Sequence, residues 1–173
     1  MARPHLHLQP ATEADLSLIQ QWLTQSHLPT EDLPQILHGL YLGVVNEALV
    51  GVSEALAGAD KVVVGVGGIE RHGNDGLLRS VAIAAPFRQQ GYGQLLCRQL
   101  IQQAQEEGIQ ALYLLTTTAE FFFPKLGFKP IPRQAVPTLL QQTTEFSTLC
   151  PDSAVCLWLP LTADDSDGTA IAN

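Results

Sequence analysis

Residues 77–108, LLRSVAIAAPFRQQGYGQLLCRQLIQQAQEEG, constrain this chain more than any other stretch. Residues 77–84 form an apolar-rich run with Val81 and Ile83, suited to a buried strand. Pro86 breaks that run, because proline cannot donate to a sheet ladder. Arg88-Gln89-Gln90-Gly91-Tyr92-Gly93 comes next, followed by a helical pattern. Leu95, Leu96, Leu100, Ile101 and Ala104 share one face, while Gln94, Gln99, Gln102, Gln103 and Glu106 fall mainly elsewhere. Gly108 stands where a C-terminal glycine would stop the helix. The unit is a strand, a glycine-punctuated turn and a helix.

Such a unit suits an anion. A helix N-terminus leaves backbone N–H groups unpartnered and carries partial positive charge. Glycines let a phosphate or pyrophosphate approach the backbone closely. Two phosphate motifs are absent. The sequence has no Gly-x-x-x-x-Gly-Lys-Ser/Thr, and Gly91-x-Gly93 lacks the third glycine of the dinucleotide fingerprint.

Charge distribution points the same way. The net charge of −8 argues against nonspecific nucleic-acid binding. Residues 77–133 nevertheless carry +3, from Arg79, Arg88, Arg98, Lys125, Lys129 and Arg133 against Glu106, Glu107 and Glu120; the remainder carries −11. Positive charge kept beside the glycine turn suits an anionic cofactor, with chance clustering as the bland alternative. At 173 residues the chain reads as one domain over 1–161, with an acidic, aperiodic tail over 162–173 expected to be disordered. No apolar run approaches a membrane span and no signal segment is evident, so the default setting is cytoplasmic. Cys97, Cys150 and Cys156 are odd in number and lack metal-type spacing, which speaks against a disulfide framework or a zinc site.

Along the chain, residues 4–9 alternate like an edge strand, Leu6 and Leu8 inward and His5 and His7 outward. The two histidines are read as its solvent face rather than as metal ligands, and no metal is expected. Thr12-x-x-Asp15 resembles a capping box opening a helix to about Ser26. A short helical piece follows over 30–38. Residues 40–46 and 49–53 read as strands and 54–60 as a loop. Residues 61–84 read as an antiparallel hairpin turning at His72-Gly73-Asn74-Asp75-Gly76. Glycines 65, 67 and 68 inside its first strand indicate a bulge, a close backbone approach, or weakly specified sheet. Residues 111–116, 128–131 and 154–161 are further strands. A short helix is expected over 117–125, ended by Gly127, and a helical piece with Pro137 early in it over 132–149.

Arg88-Gln89-Gln90-Gly91-Tyr92-Gly93, with Ser80-Val81-Ala82-Ile83 before it and 119–128 (AEFFFPKLGF) after it, resembles the acetyl-CoA loop of the GCN5-related N-acetyltransferases. The resemblance implies an α+β fold of the GNAT-type acyl-CoA N-acyltransferase kind, with a mixed central sheet flanked by helices on both faces. It implies two parallel strands that splay apart around the cofactor's pantetheine arm. It implies acetyl-CoA held by Val81, Ala82, Ile83, Arg88, Gln89, Gln90, Gly91, Tyr92, Gly93 and Gln94. It also implies a small-molecule amine as acceptor, bordered by the early helices, and often a homodimer; neither nucleic acid nor membrane is expected as a partner.

Transfer of acetyl to an amine needs a polarised thioester carbonyl, a route for the amine's proton, and protonation of the departing thiolate. Many members of the resembling family carry a tyrosine where Phe123 stands and a glutamate on the central strand, where this chain has Leu77, Leu78, Arg79 and Ser80. The catalytic acid and base are therefore unassigned, proximity is expected to carry most of the rate with water relays moving protons, and Glu70 and Glu54 are the nearest carboxylates on neighbouring strands. Arg79 in an apolar strand either points to solvent, pairs with a neighbouring glutamate, or clamps an acceptor carboxylate. The clamp reading makes Arg79, Ser80 and Glu70 the substrate-binding set. Residues 78–82, 114–119 with Phe122-Phe123, and 146–154 further resemble the arsenic-resistance branch of the family, which implies acetylation of a toxic amino-acid analogue. An acetyl-CoA-binding sensor with little turnover is the alternative.

Overall fold

A computed structural model describes residues 5–46, 57–58 and 61–162. The expected strand at 49–53, Glu54 and the tail beyond Thr162 lie outside the described residues. In chain order the elements are β1 (His7–Pro10), α1 (Leu16–Gln25), α2 (Leu33–Ile36), β2 (Leu40–Asn46), β3 (Ala57–Gly58), β4 (Lys61–His72), β5 (Asp75–Ile83), α3 (Tyr92–Glu106), β6 (Ala111–Thr116), β7 (Lys129–Pro130), α4 (Thr138–Gln141) and β8 (Val155–Pro160). The sheet runs β1-β2-β4-β5-β6-β8-β7, with β3 alongside β4. β5 and β6 are parallel; the other pairs are antiparallel.

Local chemistry explains the framework. Thr12 and Asp15 close the capping box, the Thr12 N–H donating to Asp15 Oδ2 at 2.8 Å. Ile19, Trp22 and Leu23 then bury one face of α1. The hairpin of β4 and β5 turns between His72 and Asp75, with Gly73 at φ +65°. α3 begins at Tyr92, so Gly93 lies within its first turn; the apolar stripe of Leu96, Leu100 and Ala104 is fully buried. Gly108, at φ +75°, follows its end.

The β4 glycines mark close approach. A Cβ on Gly67 would stand 2.5 Å from Leu100 Cδ1, so α3 packs directly on the sheet there. A Cβ on Gly65 would meet the Ala82 carbonyl oxygen at 2.6 Å. Gly67 faces α3, so the adjacent pair Gly68↔Arg79 projects from the opposite face of the sheet. One core packs around α1, α2 and α3 and reaches across the sheet from β1 to β6 and β8. A second, of Leu77, Tyr113, Leu140, Phe146 and Cys156, lies under α4 and the following turn.

Three expected elements are shorter than the sequence suggests, each with a proline within it or at its start or end. The helix expected over 117–125 is a 3-10 turn at Phe123–Leu126, because Pro124 removes a donor and its ring obstructs a preceding helical turn. The strand expected over 128–131 pairs only at Lys129–Pro130, flanked by Pro132. The helical piece over 132–149 divides into a 3-10 turn at Arg133–Ala135, α4, and a single π-helical turn at Glu145–Leu149; Pro137 caps α4 rather than sitting inside it.

Candidate functional site

β5 and β6 pair only through Asp75↔Ala111, Gly76↔Leu112 and Leu77↔Tyr113. β5 then continues to Ile83 and β6 to Thr116 without pairing with each other, so the two strands part. A cavity of about 590 Å³ opens in the gap. Val81, Ile83 and Gly93 line one side, residues 114–119 with Phe122 and Phe123 the other, and residues 26–29 and Glu31 border it. The segment joining α1 to α2 thus borders the cavity.

β5 is bulged where it leaves β6. Gly68 faces Arg79 and Val66 faces Ala82, so Ser80 and Val81 stand against Gly67 alone. Ser80 takes φ +57°, a left-handed conformation that costs a non-glycine residue roughly 1 kcal/mol or more. Both bulge residues line the cavity. Strain of this kind collects at ligand-binding backbone.

The glycine turn stands at the same end of β5. Gln89 and Gly91 have φ of +61° and +85°, and a Cβ on Gly91 would meet nothing within 4 Å. The Leu95 N–H donates to the Gly91 carbonyl at 3.2 Å, the first bond of the α3 ladder, which leaves the N–H groups of Tyr92, Gly93 and Gln94 ahead of it. The turn is braced from within: Arg88 Nε donates to the Ile83 carbonyl at 2.9 Å, and Gln90 Nε2 to the Pro86 carbonyl at 2.8 Å. The Tyr92 ring is buried, edge-on to Phe87 at 5.8 Å. What the turn offers an anion is therefore open backbone at exposed glycine.

At the other end, the Arg79 side chain is 2% exposed and paired. Nη1 and Nη2 donate to the two Asp32 carboxylate oxygens, each at 2.8 Å, and Nη1 also to Glu70 Oε2 at 3.0 Å. Nε lies 2.9 Å from Glu145 Oε2, off the line of a hydrogen bond, so Nε itself has no partner of good geometry. Burial pulls the guanidinium's pKa down, yet Glu145, Asp32 and Glu70 together raise it. Of the three readings of Arg79, the structure shows pairing, with Glu70 and two carboxylates distant in sequence. Arg79 and Ser80 line the cavity; Glu70 stands behind Arg79, its Oε1 2.8 Å from His72 Nε2.

One group on the cavity wall had no sequence signal of its own. Glu145, in the π-helical turn, is 6% exposed, and burial pushes its carboxyl up to about 7 even though Arg79 lowers it. The Cys150 thiol lies within reach of that carboxyl, and burial pushes it up to about 12. The Glu145 signal was indirect: an arginine in an apolar strand demands carboxylate partners. Cys156 is buried in the second core, away from the cavity lining. Phe123, also on the wall, has no proton to donate.

A family model described as the acetyltransferase (GNAT) family matches residues 16–128. The chain belongs to that family. An N-acetyltransferase of Chlorobaculum tepidum, described as uncharacterized, is 32% identical over 79 residues, which is 46% of this chain and 48% of that protein. The chain thus matches about half the length of this curated relative. Among solved structures, a Mycobacterium tuberculosis protein in complex with CoA is 20% identical with a TM-score of 0.67, over 90% of this chain and 99% of that one. N-acetylglutamate synthase from Neisseria gonorrhoeae, complexed with CoA and N-acetyl-glutamate, is 16% identical with a TM-score of 0.71, over 94% of this chain and 36% of that one. The ribosomal-protein-S18-alanine N-acetyltransferase of Escherichia coli is 14% identical with a TM-score of 0.64, over 94% and 97%. At these identities the likeness is one of fold, and the GNAT sheet, parted at β5 and β6, is the fold this chain has. No helix among the described residues is long and apolar enough to cross a membrane.

Proposed function

We propose that this GNAT protein is an acetyl-CoA-dependent N-acetyltransferase that moves the acetyl group directly to the amine of a small molecule. The observation that carries the reading is the cavity between β5 and β6, bounded by the glycine turn at one end and by Arg79 and Glu145 at the other. A thioester with a long arm and an anionic head fits that order. The head meets the backbone of residues 89–94, the arm takes the free edge of β5 at Val81, Ala82 and Ile83, and the carbonyl lies near the bulge. Proximity supplies much of the rate when both reactants are held in one cavity.

For the acceptor, an amino acid or a toxic amino-acid analogue has the most support. The sequence resembles the arsenic-resistance branch, and the gonococcal enzyme of the same fold was solved with N-acetyl-glutamate. Ser80 and the bulge then contact the acceptor directly, Arg79 borders it, and Glu70 acts through Arg79.

Isothermal titration of acetyl-CoA against wild type and Gly91→Trp, followed by thiol release with a panel of amino acids, tests the reading. Binding by wild type, loss in the variant, and thiol release with one amino-acid class support it. Absence of binding by wild type overturns it. Binding without thiol release across the panel favours the sensor alternative, for which the proton-poor Phe123 is the supporting observation.

A further inference from the structure

The family reading leaves the acceptor's proton without a destination, because the carboxylate and tyrosine common among relatives are missing from the expected positions. The cavity wall supplies one carboxyl. Asp32 and Glu70 hold Arg79 from behind and are not part of the lining; Glu145 is. Its place is fixed by two constraints. The Arg79 Nε lies 2.9 Å from Oε2, and the Cys150 N–H donates to the Glu145 backbone carbonyl at 3.0 Å, closing the π-helical turn. Because Arg79 Nε is off-line, the pair sets the carboxyl's position without a linear hydrogen bond to it. Single π-helical turns recur at functional sites for such placement.

We propose that Glu145 is the group that accepts the acceptor amine's proton, with Arg79 as its positioning residue. The proposal rests on the N-acetyltransferase reading and deepens it. The acceptor arrives as an ammonium. One N–H bond breaks and its proton passes to the Glu145 carboxylate. The freed lone pair forms the C–N bond at the thioester carbonyl. The C–S bond breaks, and its electron pair leaves on the CoA sulfur. The proton shed by the new amide nitrogen reaches that thiolate through water. The products are the N-acetyl compound, CoA thiol, and a proton held on Glu145 until it returns to solvent.

The surroundings agree. Burial holds this carboxyl near 7, where a base both accepts and releases protons at neutral pH. The groups facing it are Arg79 from β5, Asp32 from the start of α2, Glu70 from β4 with His72 behind it, and Cys150 on its own turn. Arg133 acts on Cys150 from the neighbouring loop.

The test uses the full chain as wild type, Glu145→Gln and Glu145→Asp. Thiol release from acetyl-CoA is followed between pH 5.5 and 9, with glutamate and phosphinothricin as acceptor probes. Wild type is expected to lose rate on the acid side with a midpoint near 7. Glu145→Gln is expected to lose that limb and roughly 10²-fold in kcat or more, with acetyl-CoA affinity unchanged by titration calorimetry. Glu145→Asp is expected to regain part of the rate and the limb. An infrared carboxyl band titrating near 7 in wild type should be missing from Glu145→Gln. A Glu145→Gln protein that keeps the wild-type kcat and acid limb overturns the proposal while leaving the transferase reading standing. A wild type that binds acetyl-CoA but releases thiol with neither of these probes nor any amino acid of the panel overturns both.

Discussion

Replacing Arg79 with leucine is the most direct probe of the site's architecture. The guanidinium touches Asp32 through two bonds at 2.8 Å, Glu70 at 3.0 Å and Glu145 at 2.9 Å, with its own side chain 2% exposed. At a charge separation near 4 Å and an effective dielectric of about 20, each attraction is worth about 4 kcal/mol before desolvation. The carboxylates raise the guanidinium's pKa against its burial, while burial raises the Glu145 carboxyl against Arg79, so the cation keeps its charge and Glu145 carries much of the desolvation cost. Leucine fills the space but leaves three carboxylates facing one another, two of them buried. Removing one partner of a buried ion pair costs roughly 3–5 kcal/mol, which for a chain of this size lowers the melting temperature by roughly 10 °C. The loss should shrink in acid. Without the cation the folded state holds its carboxylate protons more tightly than the unfolded chain does, so the variant loses further stability as pH rises and recovers it as pH falls. Urea unfolding of wild type and Arg79→Leu at pH 5.5 and pH 8 measures both. A loss under about 1 kcal/mol, or the same loss at both pH values, would refute the argument that Arg79 compensates these carboxylates.

Three further outcomes are expected. Glu145 has its folded-state pKa raised from 4.5 to about 7, so between those values the native state binds more protons and its stability falls as pH rises, by about 3 kcal/mol in all; Glu145→Gln should flatten that part of the stability–pH curve measured by urea titration. Gly65→Ala should cost roughly 2 kcal/mol and weaken acetyl-CoA binding by calorimetry, because its Cβ would press on the Ala82 carbonyl at 2.6 Å and shift β5 where the thioester arm is placed. Phe123→Tyr should raise kcat with little change in KM if protonation of the thiolate limits turnover; an unchanged kcat would show that water suffices.

What was legible in the sequence was whatever is specified locally. The β4–β5 hairpin is written in an apolar, valine- and glycine-rich run and a Gly-Asn turn. The unit from β5 to α3 is written in Pro86, Gly91 and the leucine stripe. The parting of β5 and β6 is not specified by any one residue and came only through the resemblance. Elements near prolines were overextended because the surrounding apolar residues suggest regular structure, whereas Pro124, Pro130, Pro132 and Pro137 interrupt its hydrogen bonding.

The charged cluster shows why a site of this kind resists sequence reading. Arg79 draws Asp32 from 47 residues upstream and Glu145 from 66 downstream. Neither acid sits in a motif: Asp32 follows another acid at the start of a four-residue helix, and Glu145 sits among threonines before a phenylalanine. Their partnership exists only because the bulge at Ser80 and Val81 fixes the direction of β5 and the π-helical turn brings Glu145 over the same face. One inference was available beforehand. An arginine flanked by Leu77, Leu78, Val81 and Ile83 must be compensated if buried, and a chain with an excess of acids has carboxylates to supply. Sequence could therefore state the need for buried partners of Arg79, whereas their identity required the fold. The same folding that satisfies Arg79 leaves Glu145 facing the cavity, so one ion-pair network both holds the wall together and positions a proton acceptor within it.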